Sequence, residues 1–343
     1  MKIAGYDLDM DHIIDQIVQK QYSTLALQVP EGLKHSLRPI VNYLEQQTRA
    51  RVIVLADPCF GACDIPVNSL YNLPIDCIIH IGHTKLLPHH DQSIPVLYVT
   101  AAADIDVYRV VEKACSLLVG NRIGLVTTAQ HLHTLQKLSK FLQDHGFKPI
   151  VGKGDSRVTA DGQILGCNFS SATSVVGSVD SYLFLGSGMF HPLGLLLATK
   201  KPVIAADPYT LQVKRQELED MKDSLLRQRY GAIAAAKTAK TFGILVGLKP
   251  GQQRLQLVFH LKTIIESARR TSLILAVNYV SPEILQSFLD IDCFISTICP
   301  RIAIDDYLQY KKPLITPVEA EIAFGVRSWQ TYIFDQICDE HIR

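Results

Sequence analysis

Three cysteines that could bind a metal lie far apart in this chain, each in a turn-like segment beyond an apolar stretch. They are Cys63, Cys167 and Cys299, separated by 104 and 132 positions, and none belongs to a CxxC pair. A fold that brought them together would hold three thiolates at one point. Such a centre keeps one coordination position open for a substrate, so we expect a shared, open-sided metal site.

The composition restricts the kind of protein. The chain has 343 residues, of which 48% are hydrophobic and 20% are charged, which is typical of a packed globular protein of several domains. A formal net charge of +1 without a long basic block argues against nucleic-acid binding. We see no secretory signal, and the apolar stretches end well short of about 20 residues. We therefore expect a cytoplasmic protein that has no membrane partner and whose cysteines are reduced.

Short apolar strands alternate with amphipathic segments, a pattern that predicts parallel sheets covered by helices. The strands form three sets of four, at 24–30, 51–57, 76–82 and 95–100, then 122–128, 148–154, 181–187 and 202–207, then 241–247, 271–277, 292–298 and 313–317. Corresponding strands resemble one another at a period of about 110 residues, too long for a solenoid repeat. The sequence thus predicts three related α/β domains with four-stranded parallel sheets, at 1–118, 119–238 and 239–343.

The loop cysteines are expected at the carboxyl ends of the strands, where open α/β sheets bind their ligands. Soft all-thiolate ligation with one open position favours a [4Fe–4S] cluster whose fourth iron is free. Zinc with three cysteines and a water stays an alternative. Cys77 and Cys293 lie inside apolar strands and are interpreted as core residues, and Cys115 and Cys338 are predicted on helices.

Nine short colinear motifs resemble the archaeal diphthamide synthase family, the radical enzymes of the first step of diphthamide biosynthesis. They are VPEGL (29–33), FGACD (60–64), IGHT (81–84), TTAQHLH (127–133), GKGDSR (152–157), QILGCN (163–168), GSGMFHPLG (186–194), ADPYT (206–210) and CPRIAIDDY (299–307). The resemblance covers nearly the whole chain. It implies three Rossmann-like domains in a pseudo-threefold arrangement around one [4Fe–4S] cluster bound by Cys63, Cys167 and Cys299.

The resemblance also implies an activity. Family members transfer the 3-amino-3-carboxypropyl group of S-adenosylmethionine to the imidazole C2 of a histidine in translation elongation factor 2, and methylthioadenosine is released. The archaeal form is a homodimer and needs an electron donor. The protein's part in this reaction is to hold the substrates in position and to exclude competing reactions.

Residues of other strand-end loops are expected to line the S-adenosylmethionine pocket. These are Gly186, Gly188, His191, Gln130, His131 and Asp207. The amides after Gly186 could bind an anion at a helix N-terminus. The alternative is structural, with glycines that only allow a tight turn and histidines that only pack.

Cys59 and the function each leave an alternative open. Cys59-x3-Cys63-x2-Pro66 imitates the CxxxCxxC of ordinary radical S-adenosylmethionine enzymes, but proline cannot ligate. We interpret Cys59 as a nearby spare thiol, with a conditional fourth ligand as the alternative. For the function, a quinolinate synthase would use a similar three-cysteine cluster as a Lewis acid. A non-catalytic metal-binding scaffold is the third hypothesis.

Overall fold

The computed structural model describes residues 1–86 and 94–338. Within them the strands are β1 Lys2–Ile3, β2 Tyr6–Leu8, β3 Thr24–Gln28, β4 Arg51–Val54, β5 Cys77–Ile81, β6 Val96–Val99, β7 Ala101–Ala103, β8 Arg122–Thr127, β9 Lys148–Ile150, β10 Ser181–Leu185, β11 Val203–Asp207, β12 Gln212–Lys214, β13 Thr241–Gly247, β14 Thr271–Val277, β15 Cys293–Ser296 and β16 Leu314–Ile315. The α-helices are α1 Asp11–Gln19, α2 Leu37–Thr48, α3 Tyr108–Cys115, α4 Leu135–Asp144, α5 Ser170–Thr173, α6 Phe190–Thr199, α7 Gln216–Thr238, α8 Leu255–Ser267, α9 Pro282–Gln286, α10 Pro300–Ile304 and α11 Pro317–Ala323.

Three parallel sheets share one strand order. The orders are β4-β3-β5-β6, β9-β8-β10-β11 and β14-β13-β15-β16, and every neighbouring pair within them is parallel. Each sheet therefore has its second strand at one edge and its first strand beside its third. All twelve predicted strands are present, which confirms the α/β fold class. The boundaries after residues 118 and 238 stay predictions, and α7 ends at Thr238.

Two parts of the fold were not predicted. The short strand β12 extends the second sheet to five strands by antiparallel pairing with β11, and β1, β2 and β7 form a separate antiparallel sheet. These strands have two or three residues and carry no apolar run that would reveal them. The predicted helix around Cys338 was wrong, because the chain is neither helix nor strand there, whereas Cys115 is the last residue of α3.

The central strands of the sheets are buried on both faces, as their apolar sequences require, whereas the edge strands β4 and β14 are partly exposed. All five residues of β5 and all five of β10 are buried. The covering helices bury one stripe each; α4 buries Leu135, Leu138 and Leu142, whose spacing of three and four places them on one face. Each such leucine contributes about 1.5–3 kcal/mol on burial. The helices thereby fix the strand ends that position the loop cysteines.

A buried ion pair joins α7 to α11. The guanidinium of Arg229 donates to both carboxylate oxygens of Glu319 at 2.7 and 2.6 Å, and both side chains are fully buried. Arg229 also donates to the carbonyls of Ala303 and Leu314 at 2.6 and 2.9 Å, and the Tyr332 hydroxyl donates to Glu319 at 3.2 Å. The network thus connects α7 to α10, β16 and α11.

We predict that Arg229→Ala destabilises the protein by about 3–5 kcal/mol, because Glu319 is then buried without a counter-charge. The measurement is urea unfolding followed by circular dichroism. The matched control is Arg227→Ala, since Arg227 lies on the same helix and is exposed. Equal unfolding midpoints for the two variants would contradict the role given to this pair.

Candidate metal centre

The structure brings together the thiols of Cys63, Cys167 and Cys299. Burial and the neighbouring sulfurs both disfavour their charged forms. Burial, with the charges of Cys63 and Cys299, raises the pKa of Cys167 well above its usual range. Burial, with the charge of Cys63, raises the pKa of Cys299 to about 12, and burial also raises the pKa of Cys63. Because the charge of Cys63 acts on Cys167 and Cys299, and that of Cys299 acts on Cys167, the three thiols lie near one another although their loops follow strands of three sheets.

Each thiol is placed by its own backbone geometry. Cys63 lies in the loop after β4, where Asp64 N–H donates to the Gly61 carbonyl at 3.0 Å. Cys167 lies in a tight turn in which Leu165 N–H donates to the Asn168 carbonyl at 2.9 Å. Cys299 precedes the first turn of α10 in extended conformation, with φ −102° and ψ 127°. All three cysteines therefore lie in segments outside the helices and strands, and their role as metal ligands stays a prediction.

Segments from elsewhere in the chain contact the backbone at Cys63 and at Cys167. A Cβ atom on Gly251 would lie 2.5 Å from Cys63 Cα, so the loop after β13 touches the Cys63 backbone. The chain segment after residue 331 reaches back, and Ile337 N–H donates to the Cys167 carbonyl at 2.7 Å. These contacts hold the loops of different sheets against one another.

Cations and a donor surround the three thiols. Arg157 lowers the pKa of Cys63 and Cys167, and Arg254 lowers that of Cys167 and Cys299. The side-chain amide of Gln252 donates to Cys63 Sγ at 3.4 Å. These effects oppose burial and stabilise thiolates, which are the form that binds metals. The soft donor set and the cationic surroundings fit a three-thiolate iron–sulfur cluster.

Arg254 holds its position through buried partners. It donates to the Thr297 carbonyl at 2.6 Å and forms an ion pair with Asp335 at 2.8 Å. Thr297 precedes Cys299 by two residues, and Asp335 belongs to the segment that contacts Cys167. One guanidinium therefore joins the surroundings of two of the cysteines.

The predicted pocket residues fall into separate groups. His191 stacks on Phe184 and lies near Arg301, which covers the Phe190 ring at 4.4 Å. Burial, with the charge of Arg301, lowers the pKa of His191 to about 4. Arg301 therefore lies near both His191 and Cys299.

Gln130 and His131 follow β8, and Asp207 is the last residue of β11. Burial lowers the pKa of His131 to about 4, its ring packs on Tyr209 at 5.8 Å, and its Nδ1 finds no hydrogen-bond partner among the described residues. Asp207 accepts from the Tyr209 N–H at 2.9 Å, which is a turn contact. Gln130 donates to the Gly82 carbonyl at 3.3 Å.

The backbone conformation explains why two positions of the predicted anion-binding loop are glycines. Gly186 has φ +151° and Gly188 has φ +77°, a region that disfavours side chains. The loop runs from the end of β10 into α6, so the tight strand-to-helix turn is present. A role in binding an anion stays a prediction.

Several residues of the site were not predicted. The loop after β13 supplies Lys249, Gln252 and Arg254. Gln163 and Ser296 carry buried oxygens that lack a hydrogen-bond partner within residues 1–86 and 94–338. Only Gln163 had a sequence signal, since it opens the motif QILGCN.

Cys59 lies in different surroundings. Its Sγ and one ring nitrogen each of His80 and His83 lie within 4.8 Å of one another. Burial raises the pKa of Cys59 to about 12 and lowers the pKa of His80 to about 3 and of His83 to about 4. Cys59 thus belongs to a second cluster of ligating side chains.

A family model described as "Putative diphthamide synthesis protein" matches residues 29–333. This chain belongs to that family. It is 34% identical to the 2-(3-amino-3-carboxypropyl)histidine synthase of Pyrococcus horikoshii, covering 97% of this chain and 94% of that protein. It is 31% identical to subunit 1 of the Schizosaccharomyces pombe synthase, covering 95% of this chain and 75% of that protein.

The fold of the family is also shared. A crystal structure of Dph2 from Pyrococcus horikoshii with a 4Fe-4S cluster matches with a TM-score of 0.88 at 32% identity, covering 97% of this chain and 94% of that chain. Across residues 1–86 and 94–338, every helix is too short or too polar to cross a membrane.

We predict that Gly251→Ala lowers the iron and sulfide retained after anaerobic reconstitution. The new Cβ would overlap the Cys63 backbone, an overpacking that costs about 1–3 kcal/mol and shifts one thiol. Gly231→Ala is the control, because a Cβ there meets no atom within 4 Å. Equal iron content in the two variants would show that the Gly251 contact does not position Cys63.

Proposed function

We propose that this chain is a 2-(3-amino-3-carboxypropyl)histidine synthase, a transferase that performs the first step of diphthamide biosynthesis. The observation that carries the proposal is the convergence of three loop thiols within cationic surroundings. The nearly full-length match to the Pyrococcus horikoshii synthase supports it. The relatives compared above carry the synthase name, which favours the transferase over a quinolinate synthase or a scaffold.

The proposed cofactor is a [4Fe–4S] cluster held by Cys63, Cys167 and Cys299, with S-adenosylmethionine as cosubstrate. When bound, the cluster supplies the electron that cleaves the bond between the sulfonium sulfur and the methionine γ-carbon. The transfer forms a bond from that carbon to imidazole C2 of the acceptor histidine. Methylthioadenosine and the C2 proton leave, so the overall reaction is redox-neutral.

The polar and charged side chains around the thiols stabilise the thiolate forms. Three thiolates together are costly in a buried site, and Arg157, Arg254 and Arg301 offset that charge. Gln252 adds a hydrogen bond to Cys63, which stabilises its thiolate further. The same cations attract the substrate carboxylate toward the site.

We place the S-adenosylmethionine pocket beside these thiols. Buried polar atoms without a partner among the described residues are suited to hydrogen-bond a polar ligand. They are His131 Nδ1, Arg157 Nε, Gln163 Oε1 and Ser296 Oγ. His191, Gly186 and Gly188 join this pocket in the proposal, and Gln130 and Asp207 shape its rim.

The proposed partners follow from the same function. The protein substrate is translation elongation factor 2, and an electron donor must reduce the cluster. We further propose a cytoplasmic homodimer and three domains, at 1–118, 119–238 and 239–343. The shared strand order of the three parallel sheets supports this division.

We predict that Cys63→Ala, Cys167→Ala and Cys299→Ala each lose at least about ten-fold in bound iron and in transfer of label from S-adenosylmethionine to the matching elongation factor. Each variant removes one thiolate from a set of three. The measurements are iron and sulfide analysis of anaerobically purified protein and a transfer assay with dithionite as reductant.

Cys77→Ala is the control for the cysteine series. Cys77 is fully buried within β5 and has no part in the proposed centre. It should keep its iron and its activity. One zinc and no sulfide in the wild type, or iron retained in all three ligand variants, would overturn the proposal.

A further inference from the structure

Cys59, His80 and His83 form a compact group beside the three-thiol site, close enough for the charge of Cys63 to act on Cys59. Cys59 lies in the loop after β4 and is 4% exposed, His80 lies on β5 and is fully buried, and His83 follows β5 and is partly exposed. Their sulfur and one ring nitrogen from each histidine lie within 4.8 Å of one another. A thiol and two imidazoles form a donor set that zinc prefers.

The hydrogen bonds fix which nitrogen of His80 can ligate. The Gln28 amide nitrogen donates to the Asp64 carbonyl at 2.8 Å, so the Gln28 amide oxygen is the atom that faces His80 Nδ1, also at 2.8 Å. An amide oxygen only accepts, and Nδ1 must therefore carry the proton. His80 Nε2 is left with a lone pair. A ring N–H held by a neighbouring oxygen is the usual support of a metal-binding histidine.

His83 completes the arrangement from the solvent side. Its Nδ1 lies 3.0 Å from His80 Nε2, and because that nitrogen carries no proton, His83 Nδ1–H donates to it. Zinc–nitrogen bonds of about 2.0–2.1 Å and a zinc–sulfur bond of about 2.3 Å require tetrahedral donors about 3.3–3.6 Å apart. Shifts on the order of 1 Å bring all three donors to that spacing. The partial exposure of His83 gives an ion a path to the site.

We propose that Cys59 Sγ, His80 Nε2 and His83 Nδ1 bind a Zn²⁺ ion with one coordination position left open. On binding, Cys59 releases its proton to water, His83 moves its ring proton from Nδ1 to Nε2 by exchange with water, and the fourth position takes a water molecule. The ion would join the Cys59 loop to the end of β5.

The test uses full-length protein purified anaerobically, exposed to excess Zn²⁺ and dialysed. Zinc is measured by mass spectrometry, and the zinc X-ray absorption edge gives the ligand types. We expect one zinc per chain with one sulfur at about 2.3 Å and two imidazole nitrogens at about 2.0–2.1 Å. Cys59→Ala and His83→Ala should each lower bound zinc at least about ten-fold while keeping their iron.

Matched variants separate this site from the three-thiol site. Gln28→Leu should weaken zinc binding about ten-fold or more without removing a ligand, because the His80 tautomer is no longer fixed. His35→Ala removes an exposed histidine and should leave zinc unchanged. Cys167→Ala should lose iron and keep zinc, so this readout does not depend on transfer activity.

Three results would overturn the zinc site. The first is wild-type protein that retains no zinc, and the second is a zinc shell of nitrogen and oxygen alone. The third is a Cys59→Ala variant that loses iron while zinc is unaffected, since that result would assign Cys59 to the iron–sulfur cluster.

Discussion

The structure depends on one electrostatic constraint. Three thiolates, which repel one another, must be stabilised close together in a buried site. Burial and the neighbouring sulfurs each favour the protonated forms of Cys167 and Cys299. Metal binding requires the thiolates, so the protein must supply positive charge and donors in return. Arg157 does so from the segment that contains Cys167, and Gln252 and Arg254 do so from the loop after β13.

The cation that stabilises the thiolates is held in place by contacts between distant parts of the chain. Arg254 is held by the Thr297 carbonyl and by Asp335, and the segment containing Asp335 also contacts the Cys167 carbonyl. The cation near the thiols is therefore fixed by the same contacts that close the fold. In this chain, stability and the proposed chemistry rest on shared interactions.

The sequence predicted the repeated elements well, because strands buried on both faces carry continuous apolar runs. It also singled out Cys63, Cys167 and Cys299, whose thiols lie near one another, while their role as ligands stays a prediction. It missed Lys249, Gln252 and Arg254, whose role arises from contacts between units that no local pattern reveals. His80 was hidden within an apolar strand, so its approach to Cys59 and His83 became visible only in three dimensions.

The central claim is that the three thiols hold a cluster that directs cleavage of S-adenosylmethionine toward the methionine γ-carbon. The most direct measurement is chromatographic analysis of the nucleoside formed when dithionite-reduced protein meets S-adenosylmethionine without oxygen. We expect methylthioadenosine as the product. Formation of 5′-deoxyadenosine instead, or of no cleaved nucleoside by protein with its full iron content, would contradict it.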